Sequence, residues 1–166
     1  MPKNLRKLLT VAFFIIVIIA AFSLVMSTLN YTEFFSTIEK LSFSIKKFEV
    51  RVEGEDLIAN ATFVLSNRGN YALEVHRVSC QIYMKEADEP FTMVAYPRFE
   101  LPGPPYTLLQ SNSNFTIGPN EIEVKSAKIS SDQTITWMIN SEVLIETFLG
   151  TISPSLPEIV FNSSIS

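Results

Sequence analysis

The sequence predicts an all-β protein: an antiparallel immunoglobulin-like β-sandwich preceded by one N-terminal transmembrane helix. Three observations predict it. Leu8 to Met26 is a run of nineteen residues without a charge, interrupted only by the hydroxyls of Thr10 and Ser23. At Phe43 the apolar period changes from about 3.6 to 2, the change from a helix face to a strand face. Beyond it, about seven to nine short alternating runs are separated by turn residues roughly every eight to twelve positions, with no long helical pattern between them.

The apolar run comes first. At a rise of about 1.5 Å per residue it makes a helix of about 28 Å, close to the roughly 30 Å hydrocarbon thickness of a bilayer. Lys3, Arg6 and Lys7 precede it, whereas Ser27 to Ser42 carries Lys40 against Glu33 and Glu39, so the positive end is expected to stay in the cytoplasm. The competing reading is a cleaved signal peptide: Leu8 to Ala20 has h-region length, and Ala21-Phe22-Ser23 offers small residues at cleavage spacing. The retained anchor is preferred because Leu24, Val25 and Met26 prolong the apolar run. Both readings export the rest of the chain. The expected divisions are a cytoplasmic N-terminus at 1–7, the membrane helix at 8–28, a juxtamembrane helical stalk at 29–42 and an extracytoplasmic domain at 43–166. In the stalk, Leu29, Phe34, Phe35, Ile38 and Leu41 follow helical spacing; this stripe packs on its own domain, lies on the membrane surface or pairs with a second copy of the chain.

Strands begin at Phe43. Phe43 and Ile45, then Phe48, Val50 and Val52, alternate with polar residues, and the phase slips at Lys46-Lys47 as at a β-bulge. Glu53 to Asp56 is a turn, and Leu57, Ala59, Ala61, Phe63 and Leu65 then face inward up to the loop Asn67-Arg68-Gly69-Asn70. Tyr71, Leu73 and Val75 alternate, and after His76-Arg77 so do Val78, Cys80, Ile82 and Met84, giving two short strands or one kinked strand. Phe91 to Tyr96 is a further short strand. Pro97, Pro102, Pro104 and Pro105 mark the longest loop, because proline has no N–H for a sheet interior. Asn114 to Ile117 and Ile122 to Val124 read as a hairpin around Gly118-Pro119-Asn120, continuing unevenly toward Ala127 and Ile129. Asp132 to Asn140 is read as one or two helical turns capped by Asp132, the alternative being a strand through Trp137. Glu142 to Thr151 and Glu158 to Ile165 are the last strands, separated by Pro154 and Pro157.

Composition narrows the function classes. Residues 27–166 hold ten Lys and Arg against seventeen Asp and Glu, a net charge of −7, since the first 26 residues contain three basic groups and no acidic one. Such a surface repels nucleic acid and anionic headgroups. About 125 residues beyond the stalk suffice for one core and not for two. Cys80 is alone, which rules out an intrachain disulfide, and its parity with Val78, Ile82 and Met84 makes it a core residue. His76 is expected to be a polar residue at a strand kink. The acidic groups Glu53, Glu55, Asp56, Glu86, Asp88 and Glu89 fall in turns without a calcium-loop pattern. No nucleophile motif, phosphate loop or His and Cys metal spacing is present, so no catalytic residue, cofactor or metal is expected.

Four triplets fit the N-x-[ST] acceptor pattern, at Asn30, Asn60, Asn114 and Asn162, and are the candidate glycosylation sites of an exported domain. Asn60 to Met84 is similar to the early strands of the group-2 late-embryogenesis-abundant, or water-stress, domain. Asn67-Arg68-Gly69-Asn70 stands where that family has an N-P-N-like turn, without its proline. The resemblance implies an immunoglobulin-like sandwich without catalysis and supplies no ligand residues. The architecture also resembles membrane-anchored archaeal surface proteins, including the small archaellum stator subunits that contact the surface layer. A type IV pilin is disfavoured, because no basic-Gly or basic-Ala processing site with a Glu five residues into the helix is present.

These readings converge on a single-pass, non-catalytic protein whose sandwich binds another envelope or appendage protein. Its contact loop is expected around Tyr96, Phe99, Leu101 and Tyr106, and the stalk offers a route to homo-oligomers. The alternative is an accessory subunit of a larger membrane enzyme, motor or secretion complex.

Overall fold

The computed structural model describes residues 3–53, 56–85, 89–103, 106–124, 134–147 and 150–164. Two compact units are formed, residues 1–36 and residues 37–166.

Helix α1 runs without a break from Lys3 to Glu39, 37 residues, or about 55 Å. No Gly or Pro interrupts it, so every interior N–H keeps its partner. From Leu8 to Met26 it is apolar all round: Leu8, Phe13, Ile16 and Leu24 are bare, two of them 69% exposed, and this span is thus long and apolar enough to cross a membrane or to act as a signal anchor. The hydroxyls of Thr28 and Thr32 donate to the carbonyls of Leu24 and Thr28, both at 2.9 Å, and so are satisfied inside the helix. As the stalk spacing predicts, the helix continues beyond Met26, and its last turn closes with Lys40 N–H donating to Thr37 O at 3.1 Å.

Residues 37–166 form an antiparallel β-sandwich. One sheet has the order β1 (Leu41–Glu53), β2 (Asp56–Asn67), β7 (Ser113–Val124). The other is built on two long central strands, β3 (Leu73–Lys85) and β8 (Thr134–Thr147), which pair with each other along most of their length. Its outer strands are both broken. β4 (Thr92–Ala95), β5 (Arg98–Glu100) and β6 (Thr107–Leu109) pair in succession with β3, while β9 (Gly150–Ile152), a bridge at Ser155 and β10 (Ile159–Ser164) pair in succession with β8. Rings join the two sheets: Phe63 of β2 meets Phe99 of β5 at 5.7 Å, and Phe48 of β1 meets Trp137 of β8 at 5.1 Å and Phe161 of β10 at 5.0 Å. The interior is Phe63, Leu65, Leu73, Ile82, Trp137 and Ile139, all fully buried.

The edges explain where the prolines went. Pro97 separates β4 from β5, Pro102 follows β5, Pro119 lies in β7, and Pro154 and Pro157 separate β9 from β10. Every one of these positions is on an outer strand, where a missing N–H breaks no ladder and blocks pairing with another sheet. The fourth edge, β1, carries the bulge expected at Lys46 and is dressed with the exposed pairs Lys47–Glu49 at 2.8 Å and Arg51–Glu53 at 2.9 Å.

Three expectations are corrected. Gly118-Pro119-Asn120 is a bulge, not a hairpin turn: Asn114–Ile117 and Asn120–Val124 both pair with β2, so β7 is one strand. Gly118 adopts φ +102°, and a Cβ there would lie 2.7 Å from Ala61 O, so the turn-forming residue serves a kink. Residues 134–140 are strand, not helix, and merge with Glu142–Thr147 in β8, because Ile135, Trp137, Ile139, Val143 and Ile145 bury one face with period 2; Asp132, the expected cap, lies outside the described residues, as do Ala127 and Ile129. The proline-rich loop after Ala95 is shortened by the strands β5 and β6, with only Leu101 to Tyr106 left between them; Pro104, Pro105, Glu55, Glu86 and Asp88 are outside the described residues. Leu73–Lys85 is the kinked single strand, with His76 as the extra residue.

One inward position of β8 is polar. Ser141 sits opposite Cys80, is 1% exposed, and its hydroxyl has no hydrogen-bond partner. An unmatched buried hydroxyl costs about 1–3 kcal/mol. Ser141→Ala is therefore expected to raise the urea midpoint, by about 1 kcal/mol of stability; a loss of that size would mean the hydroxyl is satisfied in solution.

Candidate interaction surface

The expected contact residues lie along the broken strand β4–β5–β6, whose course is fixed by backbone bonds to β3: Cys80 N–H donates to Pro97 O at 3.0 Å and Leu101 N–H to His76 O at 3.2 Å. The four side chains do different things. Tyr96 is 44% exposed, with the Arg98 guanidinium 5.0 Å from its ring centre. Phe99 is half-buried and turned toward Phe63, while Leu101 is half-buried where the segment leaves the sheet. Tyr106 stands at the other end, edge-on to His76 at 5.9 Å. The Glu74 carboxylate beside it, which also accepts a hydrogen bond from the phenol, holds the Tyr106 pKa above its usual value, with smaller contributions from burial and Glu146.

Tyr96 is the ring shared by two depressions. A groove of about 640 Å³ runs between Met93–Phe99 and Asn120–Glu123 of β7; Ile122 is buried there, Met93 is exposed, and the Asn120 amide nitrogen is buried without a partner. Glu121 and Glu123 make its rim acidic, Glu121 being held by Arg51 at 2.8 Å. A smaller hollow of about 280 Å³ on the outer face of the β3–β8 sheet brings Tyr96 to Gln81, Asn140, Glu142 and Ser155. The sequence ranked Tyr96 with its loop neighbours, but the opposing wall from β7 had no local signal.

The remaining candidates are scattered. Asn60, half-buried, and Asn162, exposed, line one depression with Phe48, Glu49, Arg51 and Ser163, and Asn162 accepts a hydrogen bond from Thr136 at 2.9 Å. Asn114 is exposed on β7 and Asn30 on α1. His76 has a partner that the sequence did not reveal, Glu146, at 3.1 Å. Among the described residues no three His, Cys, Asp or Glu converge as metal ligands.

Cys80 is fully buried, and burial pushes its thiol pKa up to about 12. It is expected to ignore a thiol reagent at pH 8 in the folded protein and to react at once in denaturant. Reaction at equal rates in both states would contradict the fold around it.

No protein-family model and no curated protein sequence matches the chain. Among solved structures it is similar to a late embryogenesis abundant (LEA) protein determined in solution, with 13% identity over 89% of this chain and 87% of that one and a TM-score of 0.47. It is also similar to the ApaA protein from Bordetella pertussis, with 13% identity over 73% of this chain and 91% of that one and a TM-score of 0.44. Similarity to the sporulation control protein Spo0M from Bacillus subtilis is at 12% identity over 76% of this chain, spanning 48% of that one, with a TM-score of 0.44. Identities this low transfer no function.

Proposed function

We propose that this is a membrane-anchored binding protein of the cell envelope: α1 holds it in the bilayer with its N-terminus in the cytoplasm, and the sandwich, outside, contacts another surface or appendage protein without catalysis. The observation that carries the reading is the pairing of a helix whose Leu8 to Met26 run is bare and apolar with a separate β-sandwich unit. The basic residues Lys3, Arg6 and Lys7 support the orientation. The acidic balance of residues 27–166 favours a partner with a basic or neutral face over nucleic acid or anionic lipid. Tyr96 and the groove beside it are the contact we assign first, since an exposed aromatic at the edge of a groove with a buried apolar floor is the kind of anchor that interfaces use. Asn60, Asn114 and Asn162 are the glycan acceptors in a host that glycosylates, whereas Asn30 follows the apolar run too closely to be reached.

The test is to scramble Leu8 to Met26 into another apolar order, keeping length and composition. A complex held through the sandwich survives this change. Loss of the complex would favour an accessory subunit gripping its partners inside the bilayer.

A further inference from the structure

One side of the helix stays largely apolar where its long apolar run stops. Leu24, Thr28, Tyr31 and Phe35 succeed one another at steps of four, three and four, one side of an α-helix, and the stripe is continuous with the bare surface of the span. Leu24 is 69% exposed, and Tyr31 and Phe35 are 39% exposed each, their rings 4.7 Å apart. Phe34 adds a third ring, edge-on to Phe35 at 5.7 Å. Between the apolar and the aromatic residues, Thr28 and Thr32 spend their hydroxyls on the helix's own carbonyls, which leaves their methyl groups to face outward.

We propose that Tyr31 and Phe35 form an interfacial aromatic belt that seats the outer end of the helix in the lipid headgroup layer. This rests on the membrane-anchored reading above and adds the depth at which the chain leaves the bilayer. With Leu8 to Met26 spanning the hydrocarbon, Tyr31 lies about 7 Å and Phe35 about 13 Å beyond its edge along the axis. Helical side chains lean back toward the N-terminus, here toward the membrane, by about 2 Å for a ring, which brings Tyr31 to about 5 Å and Phe35 to about 11 Å above the boundary. The headgroup layer is about 5–7 Å thick on each side, so the Tyr31 ring lies within it, with Phe35 packed on it from the outer side. Aromatic side chains concentrate at that level, where a tyrosine keeps its ring in the apolar border and its hydroxyl in the wet one. The occupant is a zwitterionic lipid surface, since the acidic balance of residues 27–166 disfavours an anionic one.

The experiment uses the full chain in phosphatidylcholine vesicles. Its single tryptophan, Trp137, is fully buried in the sandwich and supplies an unquenched reference. Tyr31→Trp and Val17→Trp are compared with the parent, using lipids brominated either near the glycerol end or near the methyl end of the acyl chain. Tyr31→Trp is expected to be quenched by the shallow bromines at least about twofold more than by the deep ones, and Val17→Trp, at mid-span, the reverse. If Val17→Trp responds and Tyr31→Trp matches the parent, the belt is wrong and the anchor stands. If neither responds, the anchored reading itself fails.

Discussion

Asn67→Ala is expected to destabilise the sandwich by about 3 kcal/mol, read as a fall in the urea midpoint at unchanged slope. Asn67 closes β2 with no exposure at all, and its amide ties three strands of chain together. Its nitrogen donates to Tyr71 O at 2.7 Å and to Leu109 O of β6 at 3.2 Å, and its oxygen accepts from Gly69 N–H at 2.9 Å. Alanine would remove all three bonds at a position that is fully buried. The neighbouring loop is as constrained: a Cβ on Gly69 would fall 2.6 Å from Thr37 Cα, and Thr37 is itself buried, its hydroxyl accepting from Tyr71 N–H at 3.4 Å. Gly69→Ala should therefore cost a similar amount through overpacking, about 1–3 kcal/mol. Unchanged midpoints for both would show that this loop is not the clasp over residues 37–41.

Trp137→Ala has the largest expected effect, about 4 kcal/mol, the range for deleting a buried aromatic. The indole lies on the inner face of β8, 5.1 Å from Phe48 on the opposite sheet, and its N–H donates to Ser163 Oγ of β10 at 2.9 Å. One side chain thus couples both sheets and an outer strand. Trp137→Phe keeps part of the ring contact and loses some buried volume along with the hydrogen bond to Ser163, so it should cost less than Trp137→Ala, about 2 kcal/mol. Circular dichroism is the readout, since the single tryptophan is the residue removed. Equal losses for the two variants would assign the stability to the hydrogen bond and not to packing.

What the residues declare about the fold is mostly local. The alternation from Leu57 to Leu65, the slip at Lys46, the kink at His76 and the buried parity of Cys80 all arise from side-chain period and appear as expected. The misreadings share one cause. Gly-Pro in β7 and the prolines after Ala95 have the chemistry of turns, yet they lie on outer strands, where the same missing N–H is tolerated. Whether a strand is outer or central depends on pairing partners far along the chain. Trp137 shows the converse: in isolation residues 134–140 suit a short helix, and only pairing with β3 on one side and β10 on the other makes them a strand. The candidate surface was legible only as far as Tyr96, because the β7 wall of its groove and the Glu146 partner of His76 come from distant positions.

The central claim is that the sandwich carries the interaction and the helix holds it at the membrane. It is tested most directly by solubilising the full chain in detergent beside residues 37–166, the unit that keeps Thr37, Ile38 and Leu41 in place, and identifying what each retrieves by mass spectrometry. The account predicts that both retrieve the same surface or appendage protein, and that Tyr96→Ala weakens both captures alike. Retrieval of membrane subunits by the full chain alone would contradict it.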